Sequence, residues 1–264
     1  MKNQKKHSYA TENIPHHYNM VLLMVAVPLT VLGLAVATLA IGNKYQQNIG
    51  AEAASTRYLS PSGNDSNPCT QSQPCLTMKR AYQVANLGDT VLMSGGQYGN
   101  NTFGPATKSG SGKVTFKPAS GANVKLSYIK LDDVDKIEVQ DVQTNGWYIA
   151  TGSDQITFRR VKSFNNGNFI TSGTNISLID NEIAYQNPSD GLQIKTNGKS
   201  GAPQVTNLLI DGLWMHDLSR SNDLTAHTDC IQIASGINVI IRNSRFNNCS
   251  TQGVFINSFA GGLL

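Results

Sequence analysis

Through the second half of the chain an Asn or Gln is repeatedly followed by residues that alternate between apolar and polar. The units are Gln155-Ile156-Thr157-Phe158, Asn175-Ile176-Ser177-Leu178, Asn207-Leu208-Leu209-Ile210 and Asn238-Val239-Ile240-Ile241, with a weaker copy at Lys136-Ile137-Glu138-Val139. Their first apolar residues lie 19, 20, 32 and 31 residues apart. A second column follows the first: Trp147-Tyr148-Ile149, Asn168-Phe169-Ile170, Leu192-Gln193-Ile194, Ile231-Gln232-Ile233 and Val254-Phe255-Ile256. Period-two alternation in short runs predicts strands with one face buried. Recurrence at intervals of this size predicts a solenoid whose coils share one core, because a single coil cannot bury its own apolar residues. The expected fold is all-β, a parallel β-helix.

The longer intervals hold insertions around 196–203 and 218–226, rich in Gly, Ser, Asn and Pro, and these read as loops leaving one side of the coil. Loops on one side of a solenoid commonly build its binding face. The doublets Asn165-Asn166 and Asn247-Asn248 recur at comparable points and predict an internal ladder of side-chain amides. His216-Asp217 aligns with the second doublet and reads as a substitute in that ladder.

Residues 20–41 form an apolar stretch without charge, preceded by Lys2, Lys5 and Lys6. That length suffices to span a bilayer, and the lysines place residues 1–19 in the cytoplasm. The segment is a transmembrane anchor or a signal segment, followed by a linker over 42–56 and the β-helix over 57–264. The protein is then a single-pass membrane protein with its β-helix outside, or is secreted if the segment is cleaved. Four cysteines suit an exported chain: Cys69 and Cys75 bracket a short loop and are the expected disulfide. Cys230 and Cys249 fall on adjacent coils, as a second bridge or as buried thiols. The chain stops just after a strand, which reads as a sequence that is incomplete or an end covered by a partner.

An open solenoid end invites aggregation and needs a cover. The amphipathic stretch 76–87, with Ala81, Val84, Ala85 and Leu87 on one face, is the expected N-terminal capping helix. The run from Tyr58 to Tyr98, with Tyr58-Leu59-Ser60-Pro61-Ser62-Gly63-Asn64-Asp65, this helix, Gly88-Asp89-Thr90-Val91 and Gly96-Gln97-Tyr98, resembles the start of right-handed β-helix proteins of the pectate-lyase-like, polysaccharide lyase type.

The second-column strands after the insertions match each other, Asp190-Gly191-Leu192-Gln193-Ile194-Lys195 against Asp229-Cys230-Ile231-Gln232-Ile233-Ala234. Stacking would bring Asp190 near Asp229 and Gln193 near Gln232, and two carboxylates flanked by amide oxygens suit calcium. The resemblance implies calcium-assisted β-elimination on a uronic-acid polysaccharide, in which Lys or Arg removes a proton beside the metal. The family strand carries a second Asp where this chain has Gln193. His227, Asp229, Lys195, Arg220 and Arg242 are the candidate catalytic residues, and Gln193, Gln232 and Arg245 the candidate substrate contacts.

Each of these residues also has an architectural reading. A turn Asp can cap its own backbone, stacked Gln residues can form a ladder, and Lys195 can be a solvated charge. Trp147, Tyr148 and Trp214 belong either to the core or to a sugar platform. Two other functions stay open: a non-catalytic surface β-helix that binds glycans, and a glycoside hydrolase using the Asp190/Asp229 pair. Nucleic acid is not an expected partner, because residues 54–264 carry 17 Lys+Arg against 15 Asp+Glu with no basic cluster.

Overall fold

The computed structural model describes residues 54–186, 188–196, 204–220 and 225–257. Residues 1–53 lie outside these, so the cytoplasmic tail, the 20–41 segment and most of the linker do too. Among the described residues no helix is long and apolar enough to cross a membrane.

The described chain is a parallel β-helix. One face is an eight-stranded parallel sheet of β1 (Thr56–Leu59), β2 (Thr90–Met93), β4 (Val114–Pro118), β6 (Asp135–Gln140), β9 (Asp154–Arg159), β12 (Gly173–Ile179), β15 (Val205–Asp211) and β18 (Ile237–Arg242). The other sheet begins with β3 (Gly96–Phe103) paired to β5 (Val124–Leu131), and then divides. The first half of β5 continues into β7 (Gln143–Thr144), β10 (Lys162–Phe164), β13 (Glu182–Ala184), β16 (Trp214–His216) and β19 (Arg245–Asn247). Its second half continues into β8 (Trp147–Ile149), β11 (Asn168–Ile170), β14 (Leu192–Ile194), β17 (Ile231–Ile233) and β20 (Val254–Ile256). The coil therefore has three faces.

The corners between faces explain the polar residue that recurs just inside the start of each of these strands. Lys136, Gln155, Asn175, Asn207 and Asn238 all adopt φ between 53° and 56°. Asp141, Arg160, Asp180, Gly212 and Asn243 repeat the left-handed conformation at the second corner, and Asn165, Tyr185, Asp217 and Asn248 at the third. Short polar side chains tolerate this conformation better than branched ones, which is why Asn and Asp recur there. An amide ladder does form, but at the first corner and on the outside. Asn207 donates to Asn175 at 3.0 Å and Asn238 to Asn207 at 2.8 Å, both exposed. The expected internal ladder at Asn165-Asn166 and Asn247-Asn248 is not what the fold builds; those four residues are exposed. His216 does pair in register with Asn247, and Asn248 donates to Asp217 at 2.9 Å.

Inside, each apolar position stacks on its equivalent one coil away: Ile137, Ile156, Ile176 and Leu208 in one column, Ile149, Ile170, Ile194 and Ile233 in another. Burying such a side chain is worth about 1.5–3 kcal/mol, so the core grows coil by coil. The cap is α1 (Met78–Val84), which buries Met78, Ala81 and Tyr82. Thr77 opens it by accepting the Arg80 N–H at 3.2 Å. Val84 is only partly buried, so the covering face is turned slightly from the one the alternation suggested. Both disulfides are present, Cys69–Cys75 beside the cap and Cys230–Cys249 between neighbouring coils. On the last described coil Val254 and Ile256 expose apolar side chains.

Candidate functional site

The outer surface of β8, β11, β14, β17 and β20 carries one side chain per coil, in the register Tyr148, Phe169, Gln193, Gln232, Phe255. Lys130 of β5 continues it at the other end. The alternation that buries residues 192, 194, 231 and 233 forces these outward. Along the chain, one sequence insertion follows β14 and the other precedes β17.

Asp190 and Asp229 sit at the entrance to β14 and β17, and both are almost wholly buried, 3% and 0% exposed. Asp190 Oδ1 accepts the Asp229 backbone N–H at 2.7 Å, and Asp190 Oδ2 accepts from Gln193 Nε2 at 2.6 Å. One coil on, Asp229 Oδ1 accepts the Gln252 N–H at 3.0 Å, and Asp229 Oδ2 meets His227 Nδ1 at 3.0 Å. The Lys195 ammonium donates to Gln193 Oε1 and lies 5.1 Å over the Phe169 ring. A connected run of polar groups thus joins His227, Asp229, Asp190, Gln193 and Lys195. Burial pushes the Asp190 carboxyl above the ordinary carboxylate range, with the Asp229 charge adding to it, against the hydrogen bonds from Asp229 and Gln193.

His227 has a side chain 55% exposed, anchored to a carboxylate that is 0% exposed. A ring held through Nδ1 turns Nε2 away from its anchor, which is the arrangement that a proton-transferring imidazole needs. Phe255 packs against the ring at 5.4 Å between centroids. Gly191 lets Asp190 approach the next coil: a Cβ there would come within 2.3 Å of Met215 Sδ and 2.7 Å of the Cys230 carbonyl oxygen.

The other expected site residues are dispersed. Arg220 is half-buried in the segment between β16 and β17. Arg242 ends β18 on the first sheet, bonded to Asp211 at 2.7 and 2.9 Å. Arg245 lies on β19, 4.7 Å over the Trp214 ring. Neither arginine shares the face that carries His227. At Asp190 and Asp229, where calcium is expected, each of the four carboxylate oxygens already has one protein partner, so an ion there would share or displace those bonds. Among the described residues no group of three or more His, Cys, Asp or Glu is placed to hold a metal ion. Trp147 is core, at 2% exposure, whereas Tyr148 faces outward and accepts from the Thr171 hydroxyl at 2.9 Å. Phe169 and Lys130 also belong to this face. The alternation that put Gln193 outside puts them there as well.

No family model matches the chain, and no curated protein sequence does. Solved structures do. A rhamnogalacturonan lyase aligns at 13% identity and TM-score 0.47, over 80% of this chain and 64% of its own. An alginate lyase from Paenibacillus sp. str. FPU-7 aligns at 14% identity and TM-score 0.53, over 76% and 69%. Pectate lyase Pel9A aligns at 17% identity and TM-score 0.41, over 74% and 57%. The chain thus spans less than two thirds of the rhamnogalacturonan lyase and of the pectate lyase. At these identities the likeness is one of fold: the chain shares the right-handed parallel β-helix of the alginate lyase.

Proposed function

We propose that the chain acts on polysaccharide, as a lyase that opens a uronic-acid polymer by β-elimination on the face formed by β8, β11, β14, β17 and β20. The observation that carries the reading is the His227–Asp229 dyad, an exposed imidazole fixed by a buried carboxylate at 3.0 Å. Neutral His227 takes the proton at C5, next to the sugar carboxylate, through Nε2. Electrons from that C–H bond form the C4–C5 double bond, and the C4–O bond breaks. The departing oxygen takes up a proton, which the imidazolium can return. Asp229 holds the ring in one tautomer and stabilises its charged form. Lys195, fixed by Gln193 and by Phe169, is the cation that pairs with the sugar carboxylate and favours the enolate-like charge. No step is routed through calcium, because His227 and Lys195 supply the base and the cation that this reading needs.

The hydrolase reading has less support. Two carboxylates flanking a glycosidic bond must reach it and leave room for water or attack, whereas Asp190 and Asp229 are buried and tied to backbone. The two disulfides support export. Residues 20–41 would hold the β-helix at the outer membrane surface, or release it if cleaved.

The test is to incubate the full chain with a panel of uronate polymers and follow ultraviolet absorbance of unsaturated product. Absorbance that vanishes in His227→Ala establishes elimination at this face. Saturable binding with no absorbance from a folded chain would replace the lyase with a glycan-binding β-helix.

A further inference from the structure

A hollow of about 490 Å³ lies on another face of the coil from His227. One wall is the outward ladder Gln143, Lys162, Glu182 and Trp214, contributed by β7, β10, β13 and β16. The opposite wall is the second corner, where Asp141, Arg160 and Asp180 project and Gly212 does not. Gly212 has φ +73°, and a Cβ there would meet Asp180 Oδ1 at 2.3 Å and displace that carboxylate. The groove therefore stays open beside Trp214. Four coils at about 4.8 Å spacing give it a length of about 14 Å along the axis.

The charges in this groove are already matched. Arg160 grips Asp141 through two bonds at 2.6 and 2.9 Å, and Lys162 meets Glu182 at 2.8 Å. Asp180 remains, so two cations stand against three carboxylates among the lining residues. An anionic polymer gains nothing here. At the far end Trp214 is 37% exposed and held rigid, stacked on His216 at 4.0 Å and covered by Arg245 at 4.7 Å. His216 is itself fixed between Asp217 at 2.8 Å and Glu182 at 3.4 Å. A fixed indole rim beside paired carboxylates, an ammonium and an amide is a surface for hydroxyl groups and the apolar face of a sugar ring.

We propose that this groove binds a neutral oligosaccharide segment, as an anchoring site separate from the face that carries His227. The two sites then differ in the charge they accept, uronate on one face and uncharged sugar on the other.

The chain has two tryptophans, and Trp147 is buried at 2% exposure, so a ligand-induced change in emission reports on Trp214. The full chain would be titrated with β-1,4-linked gluco-, xylo- and mannohexaose and with a hexauronate, reading emission and calorimetric heat. The expected result is saturable binding of at least one neutral hexasaccharide with a change in emission. Trp214→Ala and Lys162→Ala should each weaken that binding tenfold or more and leave hexauronate binding unchanged. Lys162 is an exposed partner of the groove, so its variant answers the question even if removal of the indole disturbs the fold. Failure of every neutral sugar to bind, an effect on emission from hexauronate alone, or undiminished affinity in both variants would overturn the proposal.

Discussion

Asp190 and Asp229 are linked head to tail: one carboxylate oxygen of Asp190 accepts the backbone N–H of Asp229 at 2.7 Å. Asp229 repeats the move one coil later by accepting the Gln252 N–H at 3.0 Å. Each carboxylate thus spends one oxygen on joining coils and turns the other toward the outer face, Asp190 to Gln193 and Asp229 to His227. Architecture and candidate chemistry share the same side chains, and substitutions can separate them.

Asp229→Asn keeps an oxygen for the Gln252 N–H but loses the charge that anchors His227. It should melt close to the parent and lose about 10²–10⁴-fold in turnover, as expected when a general base is misoriented. Asp229→Ala also orphans a backbone donor and should lose a further ~1–3 kcal/mol of stability. Thermal melts beside the absorbance assay distinguish the two. Equal stability of the Asn and Ala variants would remove the capping role.

His227→Ala should lose turnover as Asp229→Asn does. The side chain is 55% exposed and its loss leaves the coil-joining bond of Asp229 in place but removes the partner of Asp229 Oδ2, so stability should fall by no more than about 1–3 kcal/mol while activity disappears. A variant that retains full turnover would show that the proton is moved elsewhere.

Much of this was legible in the sequence because a β-helix writes its register directly into period-two alternation. Ile156, Ile176 and Leu208 align by inspection, and so do Gln193 and Gln232. What the alternation could not show is why an Asn or Gln recurs at the start of each first-column repeat. That residue sits at a left-handed corner, and its amide ladder is outside rather than inside, a matter of backbone dihedral and not of hydropathy. The site was half readable for a similar reason. Matching strands placed Asp190 beside Asp229, but spacing does not reveal that a carboxylate points along the axis into the next backbone instead of outward to a cation. Arg242 and Arg245 looked eligible by charge alone; they fall on other faces because each coil turns a corner between β15 and β16 and again between β16 and β17.

Calcium gives a direct check on that geometry. If the four oxygens of Asp190 and Asp229 are committed to protein donors, a chelator should leave the melting temperature unchanged, and added calcium should not raise it as a native-state ligand would. Calorimetric titration at millimolar calcium should show no saturable heat assigned to this pair, tested by comparing the parent with Asp190→Asn. A calcium-dependent rise in melting temperature that Asp190→Asn abolishes would mean that the carboxylates exchange these partners for the ion.

Gly191→Ala probes the closeness of the coils. The new methyl would meet Met215 Sδ at 2.3 Å, Leu218 Cδ2 at 3.0 Å and the Cys230 carbonyl oxygen at 2.7 Å. The sulfur can move, but the carbonyl cannot easily do so, since it accepts the Leu192 N–H at 2.9 Å and its residue is tied to Cys249. Overpacking of this kind costs about 1–3 kcal/mol, measured as a fall in the denaturant midpoint. Because the strain falls between Asp190 and Asp229, turnover should drop as well.

Asp89 contributes to the pH dependence of the fold's stability in acid. It is 1% exposed, and although burial raises its carboxyl, hydrogen bonds from the Ser55 and Asn86 N–H groups and from Arg57 outweigh this and hold it below the ordinary range. A carboxylate depressed in the folded state stabilises at pH above its unfolded value, near 3.9, and loses that contribution as pH falls through the folded value. Asp89→Asn should therefore melt lower than the parent at pH 7, with the gap between the two closing as the solution is acidified below about pH 4. Melting temperatures taken across that range for both proteins test the sign. A gap that widened in acid would mean that Asp89 is held protonated, and that its three donors serve the backbone turn and not the charge.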